Sequence, residues 1–288
     1  MRQILFMIPG LGLRVPSFGL MLMLACFFAL SLTRRRARRG GLDPDIVTDL
    51  AFFVFAGGFL GARALFVAQN PGVFPHWTDA LRVWQGGIVF YGCILGGLAG
   101  AVIYRALRPF PFLPMADAVA PALALGIALG RIGCYLNGCC YGAISAQPWA
   151  VSFPAGTLPW ARHVEAGLIP SWAARSLPVH PKQLYAAASG FLLLAILWAY
   201  HPRRRRDGQV MALLMVAYPI SRFALEFTRG DAGGLHAGLT ISQYISLGLL
   251  VGGLVAWRAL SRRPPGLWAD GPVGPSTSAE ARGLLRAG

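Results

Sequence analysis

The amino-acid sequence predicts an all-α integral membrane protein with about seven transmembrane helices. Hydrophobic residues make up 56% of the chain and charged residues only 13%, a balance typical of membrane proteins. Several apolar runs reach the roughly 18 to 20 residues that a helix needs to cross a bilayer. Clusters of arginine follow alternate runs. The predicted spans are residues 15–33, 49–68, 88–107, 116–138, 184–201, 209–228 and 237–257.

The arginine clusters predict the orientation of the chain. They follow the first, third, fifth and seventh runs, at residues 34–39, 105–108, 203–206 and 258–263. All four lie on one side if every run crosses the membrane, and basic residues favour the cytoplasmic side. The N-terminus is therefore expected outside and the C-terminus in the cytoplasm. This topology explains the net charge of +15, so the charge does not indicate nucleic-acid binding.

The first run is expected to remain as a span, because its positive cluster follows the apolar stretch, the reverse of a secretory signal. Residues 1–263 form the predicted transmembrane bundle. Its longer outer loop, about 143–183, is rich in proline and tryptophan and is expected to form a small outward-facing head. Residues 264–288 lack periodicity and are predicted to form a disordered cytoplasmic tail.

Glycines recur at four-residue spacing within four of the predicted spans. Small residues at this spacing let transmembrane helices approach closely, so the pattern predicts a compact bundle. These glycines are Gly57 and Gly61, then Gly92, Gly96 and Gly100, then Gly126 and Gly130, and finally Gly248 and Gly252.

Arg131 is the residue that most clearly indicates function. It stands near the end of the fourth apolar run, where a guanidinium at membrane depth costs about 3 kcal/mol. The alternative to a functional role is a structural one, in which the long side chain of Arg131 extends to the membrane–water interface. However, Arg131 is followed closely by the amide of Asn137 and by three thiols, Cys134, Cys139 and Cys140. The cysteines show no paired C-x-x-C pattern typical of zinc sites.

A second polar group lies on the sixth predicted span. Arg222 and Glu226 are four residues apart, share a helix face and can form an ion pair. The alternative is a purely structural pair that holds the helix to its neighbours. The predicted topology places these residues, Arg131, Arg63 and Tyr91 in the outer half of the bundle. Convergent arginines suit a phosphate, because the guanidinium pairs bidentately with its oxygens, and an anionic lipid headgroup carries a phosphate at that depth.

The chain resembles the prolipoprotein diacylglyceryl transferase family, and the resemblance runs from the first predicted span to the last. The order, spacing and sidedness of the motifs carry it. The matching pieces are Ser17-Phe18-Gly19-Leu20, Gly61-Ala62-Arg63, Trp84-Gln85-Gly86-Gly87, Ala116-Asp117-Ala118-Val119-Ala120-Pro121, Gly130-Arg131-Ile132-Gly133, Asn137-Gly138, His180-Pro181, Gln183-Leu184-Tyr185, Arg222-Phe223, Glu226-Phe227, Arg229 and Gln243.

The resemblance implies an enzyme of the bacterial inner membrane. The family transfers the diacylglyceryl group of phosphatidylglycerol to the lipobox cysteine thiol of a prolipoprotein signal peptide and releases glycerol phosphate. No metal and no organic cofactor is implied, and the partners are membrane lipid and precursor protein. The implied catalytic residues are Arg131, Arg222, Glu226 and Tyr91, and the implied substrate-binding residues are Arg131, Arg63, Gly92, Asn137, His180, Gln183, Tyr185 and Arg229.

The sequence departs from the family pattern at four positions. Tyr91 stands where the family usually carries a histidine, Cys134 replaces an asparagine, Cys139 replaces a glutamate and Phe18 replaces a tyrosine. A free phenol, with a pKa of about 10, is a poor base at neutral pH. Either Arg131 activates Tyr91, or another residue accepts the proton of the substrate thiol, or the chemistry is altered.

Three alternative functions follow from these departures. The chain would be a related transferase that uses the same lipid with another acceptor and a covalent Cys139 or Cys140. It would otherwise be a membrane thiol–disulfide protein that uses Cys134 with Cys139 or Cys140, although a disulfide between the vicinal Cys139 and Cys140 would close a strained ring. The third alternative is a phospholipid-binding relative without catalytic activity.

Overall fold

The structure is a computed structural model and describes residues 4–7, 14–73, 78, 81–82, 87, 89–229 and 238–264. The two strands are β1 (Ile4–Met7) and β2 (Arg14–Pro16), and the eight helices are α1 (Ser17–Arg39), α2 (Pro44–Gln69), α3 (Phe90–Leu107), α4 (Phe112–Asn137), α5 (Leu158–Glu165), α6 (Lys182–Tyr200), α7 (Gln209–Glu226) and α8 (Ile241–Ser261). Trp84, Gln85 and Gly86 of the predicted motifs, and the predicted tail beyond residue 264, lie outside the described residues.

The helical membrane fold is confirmed. Five helices of the described part are long and apolar enough to cross a bilayer, namely Ser17–Arg39, Pro44–Gln69, Phe112–Asn137, Lys182–Arg203 and Ile241–Ser261. Helix α3 is a shorter apolar helix. The orientation and the total of seven spans stay predictions. The predicted start at residue 15 is wrong by two residues, because Arg14–Pro16 pairs with Ile4–Met7 as an antiparallel strand before α1 begins.

The chain divides into two compact units. The first contains the residues up to Thr33 and those from Ala116 onward, and the second contains Arg34–Met115. In the second unit, α2 and α3 pack against each other through glycines. A Cβ on Gly61 would lie 2.7 Å from the Cα of Gly96, and a Cβ on Gly92 would lie 2.9 Å from the Cα of Ala62. The predicted close approach is therefore confirmed for these two helices.

The glycine prediction is wrong for the fourth and seventh predicted spans. A Cβ added to Gly126, Gly130, Gly248 or Gly252 would meet no described atom within 4 Å. Other glycines provide the close approaches of the first unit. A Cβ on Gly190 would lie 2.9 Å from the backbone nitrogen of Ala128, and one on Gly253 would lie 2.8 Å from the backbone of Met215. Spacing alone does not tell which face of a helix meets a neighbour.

Asp117 joins the start of α4 to the start of α7. Its carboxylate is fully buried and accepts hydrogen bonds from the backbone N–H groups of Gly208 (2.8 Å) and Met211 (3.0 Å). These donors have no partner inside their own helix, and a negative charge is favourable at a helix N-terminus. Arg204 adds an ion pair at 3.8 Å. One member of a predicted cytoplasmic arginine cluster is thus a buried structural residue.

A small core lies beside this junction in the first unit. It contains the buried side chains of Ala120, Ala124, Leu193, Leu197, Val210 and Leu214, which come from α4, α6 and α7. Burial of such aliphatic groups contributes roughly 0.8 kcal/mol per CH₂. The core therefore keeps the three helices that carry the polar residues of the site in one unit.

The segment between α4 and α6, the predicted head, has its own buried centre. Phe153 and Val179 are fully buried, and short bridges join Val151 to Val179 and Pro154 to Arg175. His163 on α5 is buried, and its Nδ1 accepts the N–H of Leu177 at 3.2 Å. Burial lowers the pKa of His163.

Candidate functional site

The end of α4 is shaped by a Schellman motif, in which the chain leaves a helix through a left-handed residue. The N–H of Cys139 donates to the carbonyl of Cys134 at 3.1 Å, and the N–H of Gly138 donates to the carbonyl of Tyr135 at 3.2 Å. Gly138 has a φ of 77°, which glycine adopts without steric cost. Asn137 is the last residue of the helix.

This motif gathers the three cysteines of the predicted string. A Schellman motif places the fourth-last residue of the helix next to the second residue beyond its end, and here these are Cys134 and Cys139. Cys140 follows with a φ of 60°, which is uncommon for a residue other than glycine. The three sulfurs lie within 4.8 Å of one another, and all three thiols are free. Their clustering depends on the helix end and was not predicted from spacing.

Arg131 lies two turns before this helix end and is half-buried. Its guanidinium has no hydrogen bond or ion pair with any residue that the structure describes. Its positive charge acts on Cys140, as does that of Arg229. Hydrogen bonding with the Cys134 and Cys139 thiols and then these two positive charges lower the pKa of the Cys140 thiol. Arg131 therefore has donors available for an anion beside the thiol cluster.

Glu226 is the centre of a charged network at the end of α7. Its side chain is 1% exposed, and its Oε2 accepts hydrogen bonds from Arg222 at 2.5 Å and Lys182 at 3.1 Å. Its Oε1 accepts from Arg229 at 3.2 Å and from the Thr240 hydroxyl at 3.1 Å. The predicted pairing of Arg222 with Glu226 is confirmed. Within the described residues, three cations thus contact the one carboxylate of Glu226.

Lys182 is a member of this network that the sequence did not single out. It is the first residue of α6, and its side chain is 11% exposed. A lysine is rarely buried to this extent without a partner, and Glu226 supplies one. The signal in the sequence was a charged residue between Pro181 and an apolar run, which also fits an ordinary helix start. Only the tertiary fold brings the two residues together.

The start of α6 positions three further predicted site residues. Gln183 is fully buried, and its amide donates to the carbonyl of Cys139 at 2.7 Å. Its Oε1 has no hydrogen-bond partner among the described residues. The hydroxyl of Tyr185 lies 3.3 Å from Nδ1 of His180 and accepts a hydrogen bond from Trp149 at 2.7 Å. His180 and Tyr185 thus connect the helix to the predicted head.

A short stretch after the cysteines connects α6 and α7. The N–H of Gly142 donates to the carbonyl of His180 at 3.0 Å, and the N–H of Ala143 donates to the carbonyl of Thr228 at 2.9 Å. A Cβ on Gly142 would lie 2.7 Å from the Thr228 carbonyl oxygen, so only glycine fits there. This connection brings Cys140 within electrostatic reach of Arg229.

Three predicted site residues belong to the second unit. The Arg63 guanidinium is buried and donates to the backbone carbonyls of Gly87 at 3.0 Å and Arg82 at 3.3 Å. Gly92 lies where α2 and α3 touch, so it has a packing role. Tyr91, the second residue of α3, is half-exposed. The convergence of these three residues with Arg131 stays a prediction.

The chain is similar over most of its length to known proteins of one family. The family model described as "Prolipoprotein diacylglyceryl transferase" matches residues 3–259. The phosphatidylglycerol–prolipoprotein diacylglyceryl transferase 2 of Clostridium perfringens is 32% identical over 248 residues, which cover 85% of this chain and 91% of the relative. The enzyme of the same activity from Bordetella avium is 32% identical, covering 85% and 90% of the two chains. That of Verminephrobacter eiseniae is 33% identical, covering 86% and 87%.

Proposed function

The chain belongs to the prolipoprotein diacylglyceryl transferase family, and we propose on this premise that it lipidates secreted precursor proteins. The lipid donor is phosphatidylglycerol, and the acceptor is the lipobox cysteine thiol in the signal peptide of a prolipoprotein. Glycerol phosphate is released. The protein is a multi-pass enzyme of the bacterial cytoplasmic membrane, with its site in the outer half of the bundle.

The observation that carries this proposal is the distribution of positive charge in the first unit. Arg131 has no hydrogen-bond acceptor among the described residues, and the side chains of Arg222 and Lys182 both pair with the same oxygen of Glu226. An unpaired guanidinium inside a membrane helix is costly unless an anion binds there. A lipid phosphate is an anion of the right depth and geometry, since arginine pairs bidentately with phosphate oxygens.

The reaction needs this positive charge most in its transition state. The sulfur of the acceptor attacks the glycerol carbon that carries the phosphate, and the carbon–oxygen bond breaks. The electron pair leaves on the phosphate oxygen, so the departing glycerol phosphate gains one negative charge while a thioether forms. Preorganised cations at this position stabilise the developing charge more than the ground state. Arg131 and Arg222 are the proposed groups.

Glu226 is proposed to keep the cations in place when no lipid is bound. Its two oxygens form ion pairs with Arg222, Lys182 and Arg229. Without this carboxylate the three cations would repel one another in a poorly solvated site. Its proposed effect on the reaction passes through Arg222, which it contacts directly. The buried Oε1 of Gln183 is an available acceptor for a hydroxyl of the lipid's glycerol headgroup. Asn137, His180 and Tyr185 complete the proposed binding residues.

Tyr91, acting as its phenolate, is the proposed proton acceptor for the substrate thiol, in the position where the family carries histidine. The pair of variants Tyr91→Phe and Tyr91→His tests this role. Phenylalanine removes the base, so transfer should fall by about 100-fold or more, in the range typical of general-base catalysis. Histidine restores a base that is partly neutral at pH 7, so transfer should persist. Equal activity of the phenylalanine variant and the parent protein would assign the base elsewhere.

The proposed activity is tested by reconstitution. Purified protein, phosphatidylglycerol vesicles and a lipobox peptide are incubated together, and mass spectrometry detects the thioether-linked diacylglyceryl peptide and glycerol phosphate. Arg131→Ala and Arg222→Ala should each lower the rate by at least about 100-fold, as removal of a charge-stabilising donor does elsewhere. Arg162→Ala is the control, since Arg162 forms only an exposed pair with Glu165. Folded protein that binds the lipid but gives no adduct would indicate another acceptor or binding alone.

A further inference from the structure

The cluster of Cys134, Cys139 and Cys140 has the dimensions of a metal site. The sulfurs of Cys139 and Cys140 are 3.7 Å apart, and all three sulfurs lie within 4.8 Å of one another. Three thiolates around one ion in a trigonal site, at a metal–sulfur distance of about 2.3 Å, are separated by about 4.0 Å. A disulfide would need sulfurs at about 2.05 Å, much closer than these. The observed spacing is thus that of three ligands of one small cation.

The backbone holds this spacing without help from an ion. Cys134 and Cys139 are adjacent because the Schellman motif brings the residues on either side of the helix end together. Gly138 supplies the left-handed residue that the motif needs, and the amide of Gln183 fixes the carbonyl of Cys139 at 2.7 Å. Cys140 turns its sulfur back through a positive φ of 60°. A non-glycine residue keeps such a conformation only where the surrounding structure enforces it.

Cys140 is the side of the cluster that combines exposure with nearby positive charge. Cys140 is exposed, whereas Cys134 and Cys139 are half-buried. The positive charges of Arg131 and Arg229 act on Cys140. Three thiolates around a monovalent ion leave net negative charge, which these two guanidinium groups offset. A cation can therefore enter through Cys140 and be held by all three sulfurs.

We propose that Cys134, Cys139 and Cys140 bind one soft, thiophilic cation, and that Cu(I) is the ion that fits best. Soft thiolate ligands select Cu(I), and an all-sulfur trigonal site satisfies it. Zn(II) in a structural site takes four ligands, and the described residues gather no fourth thiol, imidazole or carboxylate at this cluster. Binding forms three copper–sulfur bonds and releases the thiol protons, with no change in the oxidation state of copper. The copper site shares Arg131 with the proposed lipid site, but copper binding does not require the transfer reaction.

The test is a competition between the protein and a coloured Cu(I) chelator. The full-length chain is purified in detergent, reduced, freed of metal and titrated anaerobically with Cu(I) in ascorbate and bicinchoninate. One equivalent should bind per chain. Cys139→Ser and Cys140→Ser should weaken binding by more than about 100-fold, beyond the loss usual for changes outside the ligand shell. Cys93→Ser, on α3, is the matched control and should bind like the parent protein.

X-ray absorption of the loaded protein gives the second readout, and three sulfur neighbours are expected. Circular dichroism confirms that each variant is helical, and Cys140→Ser alters only an exposed side chain. Several results would overturn the proposal: no bound copper, binding unchanged in both cluster variants, binding lost equally in Cys93→Ser, or two sulfur neighbours instead of three. A mass loss of two hydrogens on exposure to copper would show oxidation to a disulfide and would also overturn it.

Discussion

Lys182 and Glu226 are 44 residues apart in the chain, yet the lysine ammonium donates a hydrogen bond of 3.1 Å to the carboxylate. The same oxygen accepts from Arg222, and the other oxygen accepts from Arg229 and Thr240. Because one carboxylate serves three cations, its removal and the removal of one cation have different consequences. The first leaves like charges together, and the second leaves the carboxylate still well paired.

Glu226→Gln should destabilise the protein by about 3 kcal/mol, the cost of leaving buried charges uncompensated. The measurement is thermal unfolding in mild detergent, with and without phosphatidylglycerol. The lipid should raise the unfolding temperature of this variant more than that of the parent protein, because its phosphate replaces the lost negative charge. Glu165→Gln, which breaks an exposed pair, is the control and should change stability by less than about 1 kcal/mol. Equal lipid stabilisation of parent and variant would contradict the proposed phosphate site.

Lys182→Met should cost less, about 1 kcal/mol, because Glu226 keeps Arg222, Arg229 and Thr240 as hydrogen-bond partners. In the Glu226→Gln background the same substitution should be neutral or stabilising, since the ammonium there has lost its carboxylate. A double-mutant cycle of unfolding free energies measures the difference, and a coupling of about 1 to 3 kcal/mol is expected. Additive effects of the two substitutions would show that the pair contributes nothing.

Features that depend on residues close together in the chain could be predicted from the sequence. The helices were predictable, because each long apolar run, with the arginine cluster that follows it, indicates a membrane helix without reference to the rest of the chain. The pairing of Arg222 with Glu226 was predictable, since four residues make one helical turn. Arg131 was singled out by its cost in an apolar run, and the structure places it two turns before the end of α4.

The remaining features depend on contacts between distant parts of the chain or on the backbone at a helix end. Lys182 meets Glu226 only when α6 and α7 are assembled. The cysteine cluster requires the left-handed turn at Gly138, which the sequence signalled only as a glycine after an apolar helix. The interfaces of Gly126 and Gly248 were wrongly predicted, because four-residue spacing marks a small-residue face without showing what it faces.

Asp117→Asn should destabilise the junction of α4 with α7 by about 3 kcal/mol. The amide keeps one acceptor for the N–H groups of Gly208 and Met211, and it leaves the buried Arg204 without its carboxylate. The free energy of unfolding in detergent, measured by denaturant titration, checks the value. Arg203→Gln is the matched control, because Arg203 is exposed and donates only to a nearby backbone carbonyl. A loss below about 1 kcal/mol would mean that water replaces the carboxylate.

Gly96→Ala should separate α2 from α3 and cost about 1 to 3 kcal/mol, the range for overpacked positions. Its added methyl group would lie 2.9 Å from the Cα of Gly61, and backbone atoms cannot move aside as a flexible side chain can. Gly126→Ala is the control. It meets no described atom within 4 Å, and alanine is the better helix former by about 1 kcal/mol, so it should be neutral or stabilising. The unfolding temperatures of both variants are compared with that of the parent protein. Equal shifts in the two variants would contradict the close packing of α2 against α3 at Gly96.

His163 should make the predicted head less stable in acid. Burial lowers the pKa of His163 in the folded protein below the value of about 6.5 expected in an unfolded chain. Between these two values the unfolded state binds more protons, so stability is complete above the unfolded pKa and is lost as the pH falls toward the folded one. The imidazole Nδ1 accepts the N–H of Leu177, which requires the unprotonated nitrogen. Limited proteolysis within residues 143–183 should therefore be faster at about pH 5.5 than at about pH 7.5. His163→Asn offers a hydrogen-bond acceptor that does not titrate, so it should remove most of this pH dependence. If proteolysis at acidic pH were accelerated equally in the variant and the parent protein, another group would be responsible.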